Sequence, residues 1–134
     1  MKVKTLIGFQ DAANDKVTIL KLCSDTGQLN ITGKVLNSLY NNPTLARQLI
    51  EEGTNSTENG RIDVSSTVDI DGYTWGVVGM NMGVGFEILN SSSEFLEQFS
   101  NSWYQYLYMF SEVGNQWFVA SRDNQVWRSL ASEL

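Results

Sequence analysis

The chain carries one proline in 134 residues, and its position constrains the fold more than any other single residue. It follows Asn41-Asn42, so Asn42 stands where a helix N-cap belongs and Pro43 where the first helical residue belongs. Proline suits that place because its missing N–H would be unpaired anyway and its φ is already helical. Leu45, Leu49 and Ile50 then recur at helical spacing, and Gly53 is the expected C′ residue. Start, period and stop agree on a helix over Pro43–Glu52. Upstream, Val35, Leu36 and Leu39 predict a shorter helix over Ile31–Tyr40, with Thr32 as its N-cap.

Period-two patterns flank this helical pair. Lys2–Phe9 and Val17–Cys23 read as two strands of a hairpin, joined by the polar stretch Gln10–Lys16. After residue 60 the β pattern returns: Val68 and Ile70 lead into Asp71-Gly72, a two-residue hairpin signal, and Tyr73–Met80 follows as the return strand. Asn81-Met82-Gly83 turns the chain again into Val84–Leu89, where Val84, Phe86 and Ile88 alternate against Gly85, Glu87 and Leu89. This predicts a three-strand meander.

Ser91 and Glu94 then form a capping-box pair ahead of a short helix carrying Phe95, Leu96 and Phe99 and ending near Asn101. Trp103–Phe110 and Gln116–Ser121 read as strands about a turn over Ser111–Asn115, and Val126, Trp127, Leu130, Ala131 and Leu134 fall at helical spacing. The element order ββαα, βββ, αββα is that of an α+β domain. It predicts a mainly antiparallel sheet of about six or seven strands, with helices packed on one face. One domain is expected over 1–134. Gly53–Gly60 has no apolar side chain and reads as a mobile surface loop of that domain rather than a linker.

Several chemistries are excluded by residue type. There is no histidine and a single cysteine, so the chain by itself builds no Cys/His zinc site, Ser-His-Asp triad, Cys-His dyad or intramolecular disulfide. Cys23 ends an apolar run and reads as a small buried hydrophobe. The N-terminal apolar stretch is too short for a signal peptide, and no run approaches the ~18 apolar residues a membrane span requires. The expectation is a cytoplasmic protein with no membrane contact.

The formal charge of −6 is unevenly placed. Residues 1–60 are neutral. Residues 61–134 hold three arginines against nine carboxylates, together with thirteen of the fifteen aromatic residues. A negative surface repels phosphate backbones, so direct nucleic-acid binding is not expected, and a protein partner fits better.

Motif by motif, the remaining candidates are tested by spacing. Asp69-Ile70-Asp71-Gly72 invites a calcium reading, but the first and twelfth ligand positions of an EF-hand would fall on Thr67 and Val78. The glycine-dense stretch holding Gly76, Gly79, Gly83 and Gly85 lacks the lysine of a phosphate loop. Bare glycines in paired strands mark a bulge or close approach by another group, usually a covering aromatic ring. The two-helix segment resembles a DNA reader only in outline, since its second helix closes on Glu51 and Glu52. No metal, cofactor or catalytic residue is assigned.

The segment WYQYLYMF carries the strongest surface signal. As a strand it places Tyr104, Tyr106 and Tyr108 on one face, opposite Leu107 and Met109. Three rings with polar tips suit a half-wet contact surface, unless a helix or loop covers them. The leading expectation is therefore a non-enzymatic interaction module. It would bind a protein partner, or a second copy of itself, through the acidic, aromatic surface of residues 61–134, as an accessory inhibitor or immunity-type protein does. Two alternatives stand beside it. One is a small-ligand binder or carboxylate-only enzyme with a pocket at Trp75, Gly79, Gly83 and Gly85. The other is an acidic nucleic-acid mimic acting on a DNA-binding protein.

Overall fold

Apolar side chains occupy consecutive positions in two segments, Leu6-Ile7 and Leu107 to Phe110, and successive strand residues point to opposite faces. Such strands need cover on both sides. In the computed structural model, which describes residues 5–22, 28–56, 67–70, 73–76, 83–101 and 104–134, they have it.

The chain runs β1 (Thr5–Gln10), β2 (Val17–Leu22), one π-helical turn (Leu29–Gly33), α1 (Lys34–Leu39) and α2 (Pro43–Ser56). Next come β3 (Thr67–Ile70), β4 (Tyr73–Gly76), β5 (Gly83–Leu89), α3 (Ser92–Leu96) and α4 (Gln98–Asn101). It closes with β6 (Tyr106–Ser111), β7 (Gln116–Ser121), β8 (Asn124–Ser129) and α5 (Leu130–Glu133). Six strands form one sheet in the order β5-β2-β1-β6-β7-β8, and β3 and β4 form a separate two-stranded ribbon.

The fold is α+β, but the sheet is mixed rather than mainly antiparallel. Its central pair, β1 and β6, is parallel, with Ile7 opposite Tyr108 and Phe9 opposite Phe110. Phe9 and Phe110 stack across this pair at 5.8 Å. Parallel pairing belongs to strands buried on both faces, and this pair is where both faces are apolar. Helices accordingly lie on both faces, not one. On the first, Ile7, Phe9, Leu20, Tyr108, Phe110, Trp117 and Val119 pack against Val35 and Leu36 of α1, Ala46, Leu49 and Ile50 of α2, and Leu130 of α5. On the second, Leu6, Val17, Ile19, Leu89, Leu107, Met109 and Ala120 pack against Phe95, Phe99 and Tyr104.

Local signals hold where they are short-range. Asn42 Oδ1 accepts the Leu45 N–H at 2.9 Å, capping α2. Ser91 Oγ accepts the Glu94 N–H at 3.1 Å, and Glu94 reaches back to the Asn90 N–H at 3.0 Å. Helix α2 continues past Gly53 to Ser56, and the first turn of the expected 31–40 helix is a π turn. The Thr32 hydroxyl is buried without a hydrogen bond rather than capping that helix.

Elements that depended on distant pairing differ more. Strand β5 pairs with β2, from Val17–Leu89 to Lys21–Gly85, so the expected three-strand meander is split between ribbon and sheet. Leu89 draws β5 onto the sheet by burying itself beside Val17 and Ile19. Strands β3 and β4 pair antiparallel, with Ile70 opposite Tyr73. The expected C-terminal helix is mostly β8, because β7 offers an open edge and takes Asn124–Ser129 as its partner. The readings made for Cys23, residues 57–66, Asp71-Gly72, residues 77–82 and Trp103 lie outside the described residues. No helix among the described residues is long and apolar enough to cross a membrane.

Candidate functional site

The expected tyrosine ladder does not form. Strand β6 begins at Tyr106, and the two residues before it are held by the β7–β8 turn instead of a ladder: Arg122 Nε donates to the Tyr104 carbonyl at 2.8 Å and the Arg122 N–H to the Gln105 carbonyl at 2.9 Å. This detour turns the Tyr104 ring into the second core, against the α3–α4 side, at 6% exposure. Tyr106 and Tyr108 do share a face, their rings 6.3 Å apart, but that face lies under the α1, α2 and α5 side chains. Tyr108 is fully buried, and desolvation pushes its phenol well above the usual tyrosine range. Only Tyr106 reaches solvent. It lines an open hollow of about 650 Å³ with Leu29, Lys34, Gln105, Glu133 and Leu134.

The glycine-rich set is likewise divided. Trp75 lies on the ribbon, opposite Val68, while Gly83 and Gly85 lie on β5 in the main sheet, and Gly79 is outside the described residues. Alternation places Gly85 on the face of Glu87 and Leu89. On that face Glu87 pairs with Lys21 at 3.1 Å. A strand glycine covered by a ring does occur, but at Gly8 in β1: a Cβ there would sit 2.7 Å from Phe95 Cε2.

The other face of β5 is where exposed apolar groups converge. Phe86 and Ile88 are 47% and 58% exposed, side by side on a strand that, among the described residues, forms the outer edge of the sheet. They stand across from Leu20 and Thr18 of β2. With Phe9, Thr18 and Ile50 they line a groove of about 290 Å³ whose opposite wall is α2. The groove exists because the buried stripe of α2, Ala46, Leu49 and Ile50, settles over the inner strands of the sheet. It leaves Phe86 and Ile88 of β5 half exposed.

Charge surrounds the groove. Arg47 on α2 and the carboxylates of Asp11 and Glu51 line it. The Arg47 guanidinium donates to Glu112 at 2.7 Å and lies over the Phe9 ring at 5.0 Å. Its pKa is raised further, first by the hydrogen bond to Glu112 and then by the charges of Glu112, Asp11 and Glu51, against some desolvation. Glu112 also accepts the Ala12 N–H at 3.1 Å, tying the β6–β7 turn to the end of β1. The rim thus sets three carboxylates against one guanidinium.

The chain matches no family model, no curated protein and no solved structure. Chemistry must therefore be read from the groove itself. Among the described residues no cluster of three metal-ligating side chains exists. The groove holds no serine or cysteine beside a base. What the described residues offer is apolar area, a strand edge and negative charge.

Sequence reasoning missed this site in part. The alternation already put Val84, Phe86 and Ile88 on one face, but nothing local marked that face as the uncovered one. Phe9, Arg47 and Ile50 carried no signal, because they join the groove only through packing.

Proposed function

We propose that the domain is a non-enzymatic binding module whose partner protein docks apolar side chains into the groove between α2 and β5. The observation that carries this reading is the exposed pair Phe86 and Ile88, continuous with Phe9 and Ile50 in the groove. A contiguous apolar patch rimmed by charge marks an interaction surface on a soluble domain, whereas scattered single exposures do not. Partner anchors that fill such a groove have the form of interface hot spots, apolar at the centre with a polar rim. Phe86 and Ile88 belong to the acidic, aromatic part of the sequence, whereas Phe9, Asp11, Thr18, Arg47, Ile50 and Glu51 precede it, and the tyrosines are not its anchors.

The test is a Phe86→Ser, Ile88→Ser double variant compared with a Val113→Ser control, Val113 being exposed in the β6–β7 turn. Fully burying one large apolar side chain contributes about 1.5–3 kcal/mol and each of these two is about half exposed, so losing both weakens partner capture by about tenfold to a hundredfold. Affinity capture from the native host, with quantitative comparison of the retained proteins, should show losses with the double variant alone. Identical retention by all three proteins would remove the reading.

A second reading rests on the hollow at Tyr106. Its lining combines Lys34, Glu133 and the amides of Gln28, Asn30 and Gln105 with apolar Leu29 and Leu134. That mixture suits a small polar ligand with an apolar part. Ligand-dependent quenching or shift of the Tyr106 ring resonance, absent in Lys34→Ala, is its measurement.

A further inference from the structure

Resting on the groove as the binding surface, we infer that the partner adds an extended segment to β5 as a seventh strand of the main sheet, and that the groove-facing side of this segment carries both apolar and basic side chains. The two ends of the sheet differ. Strand β8 is polar at Asn124, Gln125 and Arg128, and its pairing with β7 breaks register between Val119 and Ser121. Charges and bulges of this kind are how soluble proteins blunt an edge against pairing.

Strand β5 lacks that protection where it matters. Its register with β2 is continuous from Val17–Leu89 to Lys21–Gly85, and the irregularity comes only at Leu22. Its one charged residue, Glu87, points to the face away from the groove and is held by Lys21. Alternate residues of an edge strand send their N–H and C=O groups outward, ready for a further strand. An incoming strand would set every second side chain beside Phe86 and Ile88, over the groove.

Charge selects the occupant. Among the described residues the groove is lined by Asp11 and Glu51 with Arg47 as the one cation, itself paired with Glu112, and the chain carries −6 overall. A second copy would bring the same carboxylates against these and add its own −6, so self-pairing is disfavoured. Lysine or arginine on the groove-facing side of the segment, between its apolar anchors, meets the acidic rim instead. Complementary charge of this kind steers encounter and sets specificity more than raw affinity.

The experiment uses the full chain, isotope-labelled, with two synthetic peptides of about eight residues, a length typical of a strand. One peptide repeats Val-Thr-Lys-Thr, so that valine and lysine share a face, and the other has glutamate in place of lysine. Resonance shifts locate binding, and amide hydrogen exchange reports strand addition. The lysine peptide should protect alternate amides of β5, leave β8 unprotected, and bind about tenfold more tightly than the glutamate peptide at low salt. Asp11→Asn with Glu51→Gln, which keeps the shape of the rim, should reduce that preference severalfold.

Equal binding of the two peptides, an unchanged preference in the rim variant, or binding without β5 protection each overturns the inference. So does β5 protection that grows with protein concentration alone, which would assign the edge to a second copy. No perturbation of β5 at millimolar peptide overturns it as well. If the Phe86→Ser, Ile88→Ser variant loses its partner while β5 stays unprotected, the groove remains the binding surface and strand addition falls. If the peptide pairs with β5 while that variant retains every partner, the groove reading fails instead.

Discussion

Replacing Gly8 by alanine tests how α3 is seated on the sheet. The new Cβ would lie 2.7 Å from Phe95 Cε2, 2.9 Å from Val17 Cγ1 and 3.2 Å from Ile19 Cγ2. Carbon atoms rest at about 3.5–4.0 Å, so the first overlap is about 0.8 Å and the second about 0.6 Å. Neither neighbour is free to withdraw. Phe95 is fully buried and packs on Trp127 with ring centroids 5.3 Å apart, and the Trp127 indole N–H donates to the Ser92 carbonyl at 3.2 Å. Val17 is β-branched and stiff about χ1.

Overpacking of this kind costs about 1–3 kcal/mol, and three close approaches at once place Gly8→Ala in the upper part of that range. The conformational advantage of alanine over glycine within a strand returns about 0.5–1 kcal/mol. The net loss is therefore about 2 kcal/mol, or about 6–10 °C in Tm for a domain of this size. Urea unfolding followed by tryptophan fluorescence and circular dichroism measures it. A Phe95→Leu background, which removes the ring edge, should reduce the cost of Gly8→Ala by about 1 kcal/mol. A loss under about 0.5 kcal/mol, or the same loss in both backgrounds, would refute the account of Gly8 as the seat of the Phe95 ring.

Asn42→Ala removes the bond to the Leu45 N–H and should cost about 1 kcal/mol in the urea midpoint, whereas Asn42→Asp should retain most of the stability. The buried Tyr108 phenol is held neutral by the fold, its pKa raised by desolvation and then by Tyr106. Its contribution is complete below the unfolded-state value of about 10 and is lost above it by about 1.4 kcal/mol per pH unit, so stability falls with alkali. Tyr108→Phe should flatten that limb when urea midpoints are compared between about pH 9 and 11, and equal slopes would contradict the burial. The Phe86→Ser, Ile88→Ser variant should lose no more than about 1.5–3 kcal/mol, the part of each side chain's burial that the fold already holds. A large destabilisation would mean the pair supports the fold rather than a partner.

Short-range rules made part of this protein legible. Asn42 with Pro43 starts α2, and Ser91 with Glu94 starts α3, because a cap joins a side chain to an N–H only three residues away. The β1–β2 hairpin follows for the same reason, its partners lying close along the chain. The extent of the last element was not legible. Val126, Trp127 and Leu130 suit a helix, yet an open β7 edge makes hydrogen bonds available only to a strand, and β8 forms first with α5 reduced to one turn.

The site shows the same division. The sequence by itself determined that catalysis through histidine is impossible, that the acidic and aromatic residues concentrate after residue 60, and that Phe86 and Ile88 share a face. Tertiary structure decided which faces are covered. It placed Tyr104 in one core and Tyr108 in the other, and it left β5 outermost among the described strands with Phe86 and Ile88 half exposed. The physical reason is that alternation sorts side chains into two sets by a local geometric rule, whereas burial of either set depends on which distant helix settles over it. Here α2 buries Leu49 and Ile50 in the core and leaves Phe86 and Ile88 of β5 half exposed beside it, and the groove is what remains.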